Sequence, residues 1–247
     1  MKKILALIFG IYLLSTPFQA EAADGVIPYP PGLDTKTEGA SSAPKEINHN
    51  PSPYYKHFDI YNMTSTDTLT ILNHYPTYQQ TTEYTCGPAA ALTVLYWYNN
   101  KNYDEMGLAK AMKTRPYPYG THLHEIVNFF KSIDWNVKSS IGREYFSRYD
   151  DFKAFVLREL RAGHPILVEN VEWGGHYRVI IGYDTLGTEN NLDDTLIFMD
   201  SYDTGDHEQD GYTIGNGERF FSMWFDHSML KKSDSYQPWV VAYPKSR

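Results

Sequence analysis

One cysteine stands among 247 residues, in the stretch QTTEYTCGP at 80–88. Sulfur attacks carbonyl carbon as the thiolate, and an ordinary cysteine, with a pKa of about 8.5, is mostly thiol at neutral pH. Two surroundings lower that value: the positive end of a helix dipole and an adjacent imidazolium. The run after Cys86, TCGPAAALTVLYWY, supplies the first if it is a helix. Thr85 suits its N-cap, and Pro88 suits a first turn, where no intrahelical donor is needed. The second must come from a histidine elsewhere, oriented by a carboxylate or an amide.

Nine histidines are available. His49 falls in a polar leader, and His57 and His74 lie outside any motif and read as surface residues. His122 and His124 are two apart on a predicted helix, so they face different ways. His164 sits in a connector between Gly163 and Pro165, His207 in an acidic loop, and His227 near a late helix end. His176 differs. It opens the apolar strand of WGGHYRVIIGYD directly after Gly174 and Gly175, where the backbone can approach a substrate closely. Trp173, just before them, is a candidate wall of that groove.

Asp184 shares the strand and its parity with His176, but eight residues at about 3.3 Å each put it roughly 26 Å away. Folding the next strand back as a hairpin brings the end of TLIFMDSYD beside His176. That nominates Asp200, with Asp203 as second candidate, because the insert TLGTENNLDD leaves the register open by a few residues. Acyl transfer also needs donors for a developing oxyanion. The Cys86 backbone N–H at the helix tip can be one, and the side-chain amide of Gln80, six residues earlier, is a candidate for the other.

The elements that must position these residues follow from the pattern. TLTILNHYP (68–76) alternates like a strand. The helix from Thr85 is apolar all round and is therefore a buried central one. Helices are predicted over 104–113, over 120–133 with Thr121 as cap, and over 150–165, stopped by Gly163 and Pro165. WNVKSS, PILVENV, HYRVIIGYD, TLIFMD and PWVVAYP read as strands, and FFSMWFDHSML as a helix covering the sheet. Helices precede strands, which is an α+β pattern, with the nucleophile helix packed on an antiparallel sheet.

At these residues the chain resembles the papain-like cysteine peptidases, in particular their bacteriocin-leader-peptidase-like branch (cysteine peptidase family 39 and its stand-alone relatives). HYPTYQQTTEYTCGPAAALTVL, YGTHLHEIVNFFKSIDWNV, LRAGHPILVENV, GGHYRVIIGYD and LIFMD carry the resemblance, in the family's order, over roughly 68–203. It implies a papain-like fold, Gln80 as oxyanion donor, Cys86 as nucleophile, His176 as general base and acid, and Asp200 as its orienting partner. It also puts His164 in a variable slot of a Gly-x-Pro turn. The bacteriocin processors are fused to an ABC transporter, and this chain shows no nucleotide-binding motif, so cleavage after a double glycine is not implied.

Composition bounds the rest. MKKILALIFGIYLLSTPFQAEA has the charged, apolar and A-x-A order of a secretory signal peptide over 1–22, with an apolar run too short to span a bilayer. Export to periplasm or medium follows, with no membrane attachment after cleavage. Residues 23–53 are rich in Pro, Gly, Ser and Thr and read as a disordered leader; residues 54–247 form the peptidase domain. A net charge of -8 without a basic block argues against nucleic acid as partner. No metal or other cofactor is called for: zinc-type spacings are missing. DHEQDGYTIGNGE (206–218) departs from a calcium loop at Glu208 and Gly217 and reads as a solvated acidic loop. An exported lone cysteine is intermolecular, inert or reactive; Gln80, Cys86, His176 and Asp200 in this order favour reactive. The expected function is a cysteine peptidase acting on a peptide or protein through a thioester. The alternatives are an acyl- or peptidyltransferase on the same core and a non-catalytic peptide-binding module.

Overall fold

A computed structural model describes residues 25–43, 58–116, 119–205, 209–228 and 230–245. The expected signal peptide, the leader from 44 to 53, the domain start at 54, and His49, His57 and His207 lie outside the described residues.

The fold is α+β. Strands Leu69–Ile71 (β1), Trp135–Ser139 (β2), Ile166–Asn170 (β3), His176–Asp184 (β4), Thr195–Asp200 (β5), Tyr212–Asn216 (β6) and Trp239–Pro244 (β7) form one open antiparallel sheet. Its order is β2-β7-β3-β4-β5-β6, and β1 pairs the far end of β4. Helix Cys86–Trp97 (α1) packs on β4, with Glu105–Ala111 (α2) and Leu123–Ser132 (α3) beside it. Tyr149–Arg161 (α4) and Gly217–Ser222 (α5) complete the helices. No helix of the described residues is long and apolar enough to cross a membrane.

The reason α1 is central lies in its sequence: Cys86 through Leu95 are all buried, and three alanines let the helix lie close to the sheet. On α3, Leu123, Ile126, Val127 and Phe130 are buried as their spacing predicts, joined by Phe129. α4 ends at Arg161, and Gly163 turns the chain with φ 77°, a conformation glycine adopts without a side-chain clash.

The structure departs from the sequence reading at several places. Thr85 occupies the N-cap position of α1, yet its hydroxyl caps nothing and instead donates to Glu105 Oε1. Helix α3 starts after His122, not Thr121; Thr121 is buried, its hydroxyl against that of Thr114. His122 is extended, not helical, so its ring stacks on His124 at 5.5 Å rather than facing away. Within the predicted acidic loop, Tyr212–Asn216 is a strand against β5, and of the covering helix predicted over 220–230 only Phe220–Ser222 is helical, as the end of the short α5. The disordered leader does not hold over 25–43. Ile27 and Ala40 there are buried, and the backbone bonds to residues 77–80, with Ile27 N–H donating to Thr77 O at 2.9 Å and Ser41 N–H to Gln80 O at 3.0 Å. Few apolar residues suffice because the segment borrows an existing surface instead of building a core.

Candidate active site

Cys86 is the first residue of α1, 4% exposed, and the only free cysteine. His176 is the first residue of β4 and Asp200 the last of β5. The two strands pair with Arg178 opposite Asp200, and the register slips by one between Ile180 and Gly182. That bulge decides the site. Without the extra residue Asp200 would stand opposite Val179 and point to the other face of the sheet; with it, Asp200 shares the face of Arg178 and hence of His176. The pair is diagonal across the ladder, and His176 Nε2 meets Asp200 Oδ1 at 2.7 Å. Cys86, at the tip of α1, also favours the charged form of the same ring.

Asp200 is held on every side. Tyr202 N–H donates to Oδ1 at 2.9 Å, Thr213 Oγ1 donates to Oδ2 at 3.3 Å, and Arg178 Nη1 lies 3.8 Å from Oδ2. Burial by itself would raise its carboxyl; the charge and hydrogen bond of His176, with Arg178 behind them, keep it below the usual carboxylate range. Burial likewise pushes the His176 imidazolium down, but Asp200 and then Cys86 outweigh it and raise its pKa to about 9. Asp203 stands elsewhere: its Oδ2 accepts the Gly211 N–H at 3.0 Å and its carbonyl accepts from Gln79 Nε2 at 3.3 Å. It braces the turn into β6.

Gln80 is 1% exposed. Its Oε1 accepts from Ser201 Oγ at 2.8 Å, and its Nε2 donates to Thr82 O at 2.8 Å. Ser201 thereby fixes which way the amide points, and one of the two Nε2 hydrogens remains for another acceptor. Glu105, at the start of α2 and fully buried, organises this loop. It accepts from Tyr78 Oη at 2.9 Å, Thr81 N–H at 2.9 Å, Thr81 Oγ1 at 2.7 Å and Thr85 Oγ1.

Trp173 and Gly174 fall in a single 3-10 turn, Glu172–Gly174, and Gly175 follows at φ 117°. A Cβ on Gly174, itself at φ 83°, would meet nothing within 4 Å, so the space beside that backbone is open. Behind Cys86, Glu169 of β3 is buried against Asp226, and burial together with that neighbouring carboxyl raises its pKa well above the ordinary value. Two other histidines have structural partners: His164 Nδ1 lies 3.0 Å from Glu159 Oε2 and its ring stacks on Tyr243, and His227 Nδ1 lies 3.0 Å from Ser235 Oγ. Sequence reasoning missed Ser201, Glu105, Thr213 and Arg178. Only Arg178 carried a signal, its even spacing from His176 on one strand.

Residues 72–225, more than half of the chain, match the Peptidase_C39 like family. The chain belongs to that family. It is thus related to cysteine peptidases, carries a single buried cysteine, and by that relationship acts on peptide or protein. Among solved structures it is similar to the peptidase domain of Streptococcus ComA, a bi-functional ABC transporter involved in a quorum-sensing pathway. That likeness has 22% identity over 70% of this chain and 100% of that one, with a TM-score of 0.47. A second similarity is to the peptidase domain of Streptococcus mutans ComA in complex with a small-molecule inhibitor, at 17% identity over 69% of this chain and 100% of that one, TM-score 0.36. No curated protein matches.

Proposed function

We propose that this family member hydrolyses peptide bonds through a Cys86 thioester, with His176, Asp200 and Gln80 as its partners. The observation that carries the reading is the 2.7 Å His176–Asp200 hydrogen bond on a buried ring whose charged form the only thiol of the chain also favours.

The chemistry then runs as follows. The Cys86 thiolate attacks the carbonyl carbon, and the oxyanion accepts hydrogen bonds from the Cys86 backbone N–H and from the remaining Nε2 hydrogen of Gln80. The imidazolium of His176 gives its Nδ1 proton to the leaving nitrogen as the C–N bond breaks, leaving a thioester and a free amine. Neutral His176 next takes a proton from water, hydroxide adds to the thioester, and the thiolate leaves. Asp200 holds the ring in one tautomer and stabilises its charged form. The protein acts after export, and within the family it stands with the bacteriocin-leader-peptidase-like branch.

The test is the pH dependence of Cys86 alkylation by iodoacetamide, beside His176→Ala. In the folded protein the wild-type thiol is expected to react several-fold faster than that of the variant near neutral pH. A Cys86 unreactive until the protein unfolds would sink the reading and leave a peptide-binding module. Aminolysis products formed with an added amine in place of hydrolysis would make the protein a transferase.

A further inference from the structure

We infer that residues 25–43 are a permanent strap that positions the Gln80 loop, with Gly39 and Glu83 as its clasp. This rests on the role of Gln80 proposed above. A leader cut away during maturation would leave its contacts dispensable; the contacts made here lie on the candidate site itself.

The strap follows residues 77–83 along their length. Ile27 N–H donates to Thr77 O at 2.9 Å, and Thr77 N–H donates back to Gly25 O at 3.0 Å. Tyr29 Oη donates to Gln79 O at 2.9 Å. The backbone of Gln80 is held from two directions: its carbonyl accepts from Ser41 N–H at 3.0 Å, and its N–H donates to Ser201 O at 2.9 Å. One partner is in the strap and the other follows Asp200.

Gly39 is where the strap comes closest. Its φ is 70°, and a Cβ there would lie 2.5 Å from Thr81 C and 2.6 Å from both Gln80 O and Thr82 N. These are backbone atoms, which cannot swing aside, so only glycine allows this approach. Gly39 N–H also donates to Glu83 Oε1 at 2.9 Å, while Glu83 Oε2 accepts from Tyr202 Oη at 2.8 Å. Tyr202 in turn gives its backbone N–H to Asp200 and sets its ring edge-on to His176 at 6.4 Å. Glu83 therefore ties the strap to the Asp200 turn, on the sheet side of the site. Both Gly39 and Glu83 are positioning residues.

The experiment uses the full mature chain, a hydrolysed member of a quenched-fluorescent peptide library, and iodoacetamide. Gly39→Ala and Glu83→Ala are expected to lower kcat about tenfold or more while KM stays within about twofold, the pattern of a lost transition-state contact. Cys86 alkylation should keep its wild-type pH profile in both. Gly32→Ala is the control, because Gly32 has φ 83° with nothing within 4 Å of a Cβ, and so has the backbone strain without the collision; it should turn over like wild type. Glu83→Gln should recover most of kcat, since its amide oxygen still accepts from Gly39 and its NH2 can donate to Tyr202. Should Gly39→Ala fail to fold, Glu83→Ala decides alone, because Glu83 is exposed. Turnover by both Glu83→Ala and folded Gly39→Ala at the level of Gly32→Ala overturns the strap, provided Cys86→Ala and Gln80→Ala are inactive. Wild-type turnover by Cys86→Ala or Gln80→Ala would remove the peptidase reading itself, and the strap with it.

Discussion

His176 carries opposing influences, and their balance has a measurable edge. Burial favours the neutral ring, while Asp200 at 2.7 Å and the Cys86 thiol favour the charged one and prevail, holding the proton to about pH 9. The proposed chemistry needs that proton for the leaving amine, so kcat/KM should fall as pH rises through about 9. Asp200→Asn removes the nearest charge and should move this limb down by about one to three pH units, read from a pH–rate profile. A limb that stays in place in the variant would mean that another group controls it. At this scale the site was legible in the sequence because its residues sit in contiguous motifs: Gln80 and Cys86 in one stretch, His176 behind two glycines. Ser201 and Glu105 were not. Each acts across many residues of chain, on a partner that only the folded topology supplies.

Among the elements, the loop 78–85 depends on α2. Glu105 satisfies donors from Tyr78, Thr81 and Thr85 in a site with no access to water. Glu105→Ala leaves those donors buried without an acceptor, which costs about 3 kcal/mol and lowers Tm by roughly 10 °C in a domain of this size. Thermal unfolding followed by circular dichroism measures it; a Tm within a degree or two of wild type would show that water replaces the carboxylate. Strands β3, β4, β5 and β7 could be read from their apolar runs because both faces of these strands are covered. Strand β6 could not. It lies at the sheet edge with alternating exposure, and YTIGN beside a cluster of acids looks like a loop until β5 is there to pair with it. The bulge in β4 was equally hidden, since Gly182 is one small residue in an unbroken strand pattern. It nevertheless determines which face Asp200 takes.

Over the whole molecule, two buried groups hold protons that the unfolded chain would release. Glu169, beside Asp226, and His176, beside Asp200, both have folded pKa values raised above their ordinary ones. Their contribution to stability is complete below the unfolded values and disappears as pH rises, Glu169's from above 4.5 and His176's between 6.5 and about 9. The slope is about 1.4 kcal/mol per pH unit for each proton. Asp200 works in the opposite sense: its lowered pKa stabilises above 3.8 and is lost toward acid. The proton held on His176 therefore has a calorimetric consequence. Melting the protein at about pH 8 discharges protons into solution, and the buffer that takes them up adds its own heat. Tris binds a proton with release of heat and phosphate nearly without it, so the apparent unfolding enthalpy should be smaller in Tris. Equal enthalpies in the two buffers would mean that the core stores no proton.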